Sequence, residues 1–250
     1  MRKFASFLLL AGFFLQPGTT SAQSTWLGIK GGLSIPDLSG GNGNQLSSDY
    51  TSRLAANFGL LSEYRVENHF SIQVELNYAG QGGKRDGMQP VTNLPPNLAS
   101  QVPPGSYLYA DFNNKAVLDY LELPVLAKVT WGRVSGFYLN AGPYFGYLLK
   151  ATEKTSGTSE IYADPHGQEV VDPQPTSFDA NTDITSSIHR FNVGVTGGAG
   201  LFCHLDRNDK LFVDARFEYG LINIQKYSQD GSNNTGNLLL SLGYAHRFGK

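Results

Sequence analysis

Residues 70–78 read Phe-Ser-Ile-Gln-Val-Glu-Leu-Asn-Tyr, apolar and polar in unbroken alternation. A period of two places Phe70, Ile72, Val74, Leu76 and Tyr78 on one face of an extended strand, and Ser71, Gln73, Glu75 and Asn77 on the other. The apolar stripe carries an aromatic at each end. A strand that crosses a bilayer needs ~9–11 residues with aromatics at both interfaces, and this segment fits. In lipid such strands must form a closed sheet, because an open edge leaves backbone groups without partners.

Seven further segments carry the same period: 26–35, 56–66, 120–131, 137–150, 190–205, 211–222 and 238–248. Their connectors alternate. Residues 36–55, 79–119 and 151–189 are long; 67–69, 132–136 and 206–210 are short; 223–237 is intermediate. This layout predicts an all-β, eight-stranded antiparallel up-and-down transmembrane barrel, with long extracellular loops and short periplasmic turns. Tracing the strands up and down puts Trp26, Tyr64, Phe70, Trp131, Phe137, Tyr244 and Phe248 near the periplasmic rim. It puts Tyr78, Tyr147 and Tyr219 near the outer rim, so that two aromatic belts emerge. Parity alone does not say which face is inside. A soluble ligand-binding barrel would turn the apolar face inward, but it would leave a Gly-rich, sparsely charged face in water.

Composition agrees with this reading. Charged residues are 16% and Gly is 29 of 250, against averages of about 25% and about 7%. Residues 1–22 read as a secretory signal peptide: Arg2 and Lys3, an apolar run from Phe4 to Leu15, and Thr20-Ser21-Ala22 before a cut. The remainder, 23–250, is expected to form one barrel domain. A formal net charge of −2, with two of the positive charges in the signal segment, offers no basic footprint for nucleic acid. Cys203 is the only cysteine, so neither an internal disulfide nor a Cys-rich zinc site is available. Asp164, Asp172, Asp179 and Asp183 lack the close spacing of a calcium loop. No metal and no cofactor are expected.

The segments Gly28-Ile29-Lys30-Gly31-Gly32-Leu33, Tyr120-Leu121-Glu122-Leu123-Pro124-Val125-Leu126 and Ala141-Gly142-Pro143-Tyr144-Phe145-Gly146, with the ending at Tyr244 to Phe248, resemble the porin-like outer-membrane β-barrel proteins of the Bacteroidota. The resemblance covers nearly all of the mature chain. It implies residence in the outer membrane, contact with outer-membrane lipid, and insertion by the barrel-assembly machinery. One departure stands out: Phe248 is followed by Gly249 and Lys250, whereas such barrels often end on the aromatic itself.

The inward face is expected to hold Lys30, Arg65, Lys128, Arg190, Arg216 and Arg247 against Glu63, Glu75, Glu122, Asp214 and Glu218. An eight-stranded barrel is only wide enough for its own side chains, and buried charges must be paired. The expected interior is therefore a salt-bridged plug, with Glu122→Ala destabilising by orphaning a basic partner. The loops then carry function as a structural or surface-interaction element toward an extracellular ligand or protein, and no enzymatic activity is expected. A minor porin or small-solute channel is the alternative. A lipid-modifying enzyme would need a Ser/His/acid set at one rim; His246 is the candidate base, but no Gly-x-Ser-x-Gly setting accompanies it.

Overall fold

Each alternating segment is a strand in the computed structural model, which describes residues 24–249 except 42, 93, 95–97, 99, 101, 104 and 105. The expected signal segment lies outside the described residues. The strands are β1 (Thr25–Gly40), β2 (Ala55–Arg65), β3 (Phe70–Pro90), β4 (Tyr109–Gly132), β5 (Ser135–Ser156), β6 (Thr158–Tyr162), β7 (Val170–Ser177), β8 (Ala180–Asp183), β9 (Phe191–His204), β10 (Asp209–Gly220) and β11 (Asn233–Phe248). Eight of them close a ring in the order β1-β2-β3-β4-β5-β9-β10-β11, every neighbour antiparallel. The β1–β11 ladder, from Thr25↔Phe248 to Gly40↔Asn233, is the closure. Each barrel strand therefore has a neighbour on both sides, the condition a spanning sheet must meet.

The alternation decides which residues fill the lumen. Along β4, Ala110, Phe112, Asn114, Ala116, Leu118, Tyr120, Glu122, Pro124, Leu126 and Lys128 are all buried, and the residues between them are not. Ile29, Leu60, Phe145, Val213, Phe217 and Leu242 face outward and are each at least half exposed. Large apolar side chains on the outside and polar ones within invert the arrangement of a soluble barrel.

Two expectations about length are corrected. The strands do not stop at the outer aromatic belt: β3 runs to Pro90, β4 begins at Tyr109 and β5 ends at Ser156. The connector 151–189, expected to be a long loop, contains strands: β6 and β7 add to one edge of this raised sheet and β8 adds to β5. Outside the membrane the outward residues become polar and glycines interrupt, so the alternation reads as a loop. Gly82 is one such interruption: its φ is +111° and a Cβ there would meet Ala116 O at 2.0 Å. Near the other end, β11 begins at Asn233, within the expected 223–237 connector.

Three inward glycines accept an aromatic ring from the next strand. Gly200 opposes Tyr138, Gly194 opposes Tyr144, and Gly243 opposes Phe212. A Cβ at these glycines would meet ring atoms at 2.2, 2.4 and 2.1 Å respectively. The rings lie flat across the glycine backbone and fill the lumen without widening it. Gly200→Val should push Tyr138 off its seat and lower unfolding stability by ~1–3 kcal/mol, the cost of overpacking; denaturant titration of the refolded barrel checks this. Val at Gly31, where the nearest atoms to a Cβ lie at 3.9 Å, should cost little.

Candidate functional site

Four of the expected interior charges, Lys30, Glu75, Asp214 and Arg216, are brought together in the middle of the lumen. The Glu75 carboxylate, on β3, accepts Lys30 Nζ at 2.7 Å, Arg216 Nη1 and Nη2 at 3.0 Å each, Asn77 Nδ2 at 2.8 Å and Gln73 Nε2 at 2.5 Å. Arg216 also grips Asp214 through Nε at 3.0 Å and Nη2 at 3.1 Å. Tyr138 and Asn140 donate to the same Asp214 carboxylate, at 2.7 and 3.2 Å. Two cations stand against two carboxylates here, and Arg216 is only 1% exposed. Charges this dry persist because each is paired and hydrogen-bonded.

Toward the periplasm the network continues into an aromatic layer. Glu63 Oε2 receives Lys128 Nζ at 3.0 Å and Lys210 Nζ at 2.7 Å. Lys128 also donates to Gln73 Oε1 at 2.9 Å, which links this layer to Glu75. Lys128 Nζ lies 3.9 Å from the centre of the Tyr138 ring, and Lys210 Nζ lies 4.3 Å from that of Trp26. Trp26, Leu61, Tyr138, Phe202, Phe212 and Ala245 form one buried cluster. A cavity of about 10 Å³ remains among Glu63, Arg65, Lys128, Thr130, His204 and Lys210, room for about one water.

Several sequence expectations change at this end. Trp26 is not in the lipid belt but inside, 1% exposed. It shares the even parity of Lys30, and parity outranks the general preference of tryptophan for interfaces. Lys210, which closes an apparent turn in the sequence, joins the interior set: it opposes His204 at the start of β10 and is buried. Arg65 and Arg247 are only half-buried at the rim. Arg190 is exposed, outside the lumen, where its guanidinium donates to Leu148 O at 3.0 Å.

The outer part of the interior contains a second correction. Glu122 has no basic partner to orphan. Its Oε1 accepts Gln81 Nε2 at 2.5 Å, and its strongest charged neighbour is Glu218, another carboxyl. No lysine or arginine among the described residues reaches salt-bridge distance of either. Above this pair the lumen ends in apolar packing: Leu38, Ala116, Leu118, Tyr120, Leu148, Ala151, Ile188 and Ile224, with Tyr50 and Ile184 against them.

Over that seal the extracellular segments fold into a cap with its own core. Val91, Ala110 and Phe112 pack with Leu94 and Phe178; Leu98, Leu108 and Ile161 pack beside them. Phe112 and Phe178 stack at 4.8 Å. The first loop is drawn in as Tyr109 Oη donates to Gln45 Oε1 at 2.6 Å and Arg85 Nη1 donates to Gln45 O at 3.0 Å. Burial, reinforced by Glu153, pushes the Tyr50 phenol up to about 12, against the opposing Arg85 guanidinium 5.6 Å from its ring centre.

The remaining candidates do not converge. Asp164 accepts the amides of His166, Gln168 and Glu169, and these, Glu169 foremost, hold its carboxyl below the usual carboxylate range. Asp172 and Asp183 each bind the amide two residues on, and Asp179 binds the Gly157 amide. No group of three metal-ligating residues occurs among the described residues. His246 Nδ1 lies 2.7 Å from Asp209 Oδ1, which Tyr244 Oη also approaches, but no serine or cysteine among the described residues hydrogen-bonds the imidazole.

The two kinds of carboxylate should respond oppositely to an isosteric amide. Glu75→Gln leaves Arg216 and Lys30 buried and short of countercharge, and should cost ~3–5 kcal/mol. Glu218→Gln removes the charge of a buried carboxyl whose two oxygens have no hydrogen-bond partner among the described residues, and should leave stability unchanged or raise it. Thermal unfolding of both variants in detergent, read beside the parent, checks the contrast.

Solved structures with a similar arrangement include a major outer membrane protein from Thermus thermophilus: 12% identity, 91% of this chain and 100% of that chain covered, TM-score 0.46. Ail of Yersinia pestis, in complex with the heparin analogue sucrose octasulfate, gives 15%, 90% and 99%, and 0.38. The outer membrane protein OprG from Pseudomonas aeruginosa gives 10%, 90% and 96%, and 0.39. No curated protein matches the chain. The outer membrane protein beta-barrel domain matches residues 21–226, and the chain belongs to that family of outer-membrane proteins.

Proposed function

We propose that the protein is a closed outer-membrane barrel whose role is structural and interactive, exerted by the folded extracellular cap rather than by passage of solute or by catalysis. The observation that carries this reading is the filling of the lumen in consecutive layers. The Trp26–Phe212 aromatic layer lies at the periplasmic end, the Glu75–Arg216 network in the middle, and the Leu118–Ile224 seal at the outer end. A minor pore would need a continuous wet path, and eight strands leave room only for side chains. Among the described residues no serine or cysteine hydrogen-bonds the His246–Asp209 pair, as the catalytic reading would need. A binding role draws support from the cap, whose buried core gives the crest a fixed shape at a low entropic cost of recognition.

Liposomes holding the refolded mature chain should stay tight in an osmotic swelling assay with small neutral sugars and with salt. Migration that shifts on boiling serves as the check that a barrel is present. Swelling at the rate of a known small pore would sink the closed-barrel reading and return attention to the interior charges as a lining.

A further inference from the structure

Above the outer aromatic belt, the raised sheet carries a row of cations at directly opposed positions. Lys84 on β3 opposes Lys115 on β4, and Lys115 opposes Lys154 on β5. Thr51 pairs with Lys84 at one end of the row, and Asn181 on β8 pairs with Lys154 at the other. Opposed residues share a face and stand ~5 Å apart, and like charges placed so destabilise the sheet. Only Lys84 has an ion-pair partner, the half-exposed Asp86 at 3.1 Å; among the described residues Lys115 and Lys154 have none. A sheet does not gain from this row by itself.

The face that bears the row is fixed by parity. The alternation of β4 continues without a slip from Leu123 and Leu121 through Asp119 and Val117 to Lys115. The lysines therefore stand on the upward continuation of the lipid-facing surface, directed sideways rather than up toward the crest. Lys84 lies six residues beyond Tyr78 of the outer belt, or ~20 Å of strand at ~3.3 Å per residue. At the usual tilt of ~40° that is about 15 Å of height. The polar zone of a simple bilayer extends only ~5–7 Å beyond the hydrocarbon. The row thus sits beside whatever projects past the ordinary headgroups of the neighbouring lipids.

We infer that Lys84, Lys115 and Lys154 form a lateral binding site for the phosphate-bearing saccharide headgroup of an outer-leaflet glycolipid, with Asn181 offering hydrogen bonds at its β8 end. Charge complementarity supplies the attraction, and continuity with the lipid-facing wall selects a membrane-anchored occupant over a soluble one. The inference rests on the barrel's place in the outer membrane and goes beyond the cap's role; it holds whatever the crest binds and whether or not solute passes.

The test is native mass spectrometry of the refolded full chain in zwitterionic detergent, titrated with lipopolysaccharide, with the same material after phosphatase treatment, and with a soluble sulfated polysaccharide. The parent should retain the phosphorylated glycolipid, and retention should fall as salt is raised. The K84Q/K115Q/K154Q variant should retain it about tenfold less, the sum expected of three exposed charge contacts, with heat-modified migration unchanged. K115E is the second variant: it sets an anion between two lysines, so it should hold or raise the melting temperature while weakening retention. Equal retention by either variant, or equal retention of the dephosphorylated glycolipid, would overturn the site. Capture of the soluble polysaccharide by the row in preference to the glycolipid would overturn the occupant.

Discussion

The bidentate contact between Arg216 and Glu75 spans the lumen, and the rest of the interior is arranged so that it can exist. The two residues sit on β10 and β3, which are not neighbours in the ring, so their contact draws opposite walls together. A guanidinium in so dry a place needs more than one anion, and Asp214 from its own strand supplies the second. Each carboxylate then needs its remaining lone pairs met, which brings in Lys30, Gln73 and Asn77 on one side and Tyr138 and Asn140 on the other. The Tyr138 ring lies under Lys128, and Lys128 returns through Gln73 to Glu75. The chain of contacts closes on itself, and such a closed network specifies a single arrangement more than it stabilises one.

This geometry depends on the glycines. A lumen eight strands wide holds either a ring and a glycine at one level or two medium side chains, and the protein repeatedly uses the first. Tyr138 over Gly200 both fills space and aims its hydroxyl at Asp214. The aromatic is placed by what its cross-strand partner lacks. The abundance of glycine is thus tied to the polar network: without the glycine the ring moves, and without the ring Asp214 loses its shortest donor.

The fold was legible from residues 70–78 and their copies, because period two, strand length and alternating connectors are local properties. Lys30, Glu63, Glu75, Glu122, Lys128, Asp214, Arg216 and Glu218 share the polar parity of their strands, and all are buried. What parity cannot give is height and partner. Glu122 and Glu218 face inward like the others, yet the barrel's stagger sets them against each other instead of against a lysine. Lys210 falls in the apparent turn 206–210, but β10 begins at Asp209, two residues before the alternation becomes visible at Leu211. Trp26 has the residue type of a membrane interface but the parity of the lumen, and its position decides. Arg190, just before β9, shows the converse: alternation extended past a strand's end gives a face to a residue that has none.

The cap follows from the same rule as the lumen. Beyond the membrane the alternation of β4 persists, and its inward residues change from Glu122 and Tyr120 to Leu118, Ala116 and Phe112, with Asn114 among them bonded to Glu153. The polar interior thereby passes into an apolar one without any break in the strand. The seal over the charge network and the core of the cap are therefore successive turns of one pattern, built on strands already held in register by the barrel beneath. An extracellular loop of comparable length without this continuity would have to meet the full entropic cost of its own ordering. Here the barrel sets the register, and the added strands β6, β7 and β8 need only dock onto edges that already exist. The constraint that closes the sheet in lipid is thus also what gives the exposed surface a fixed shape.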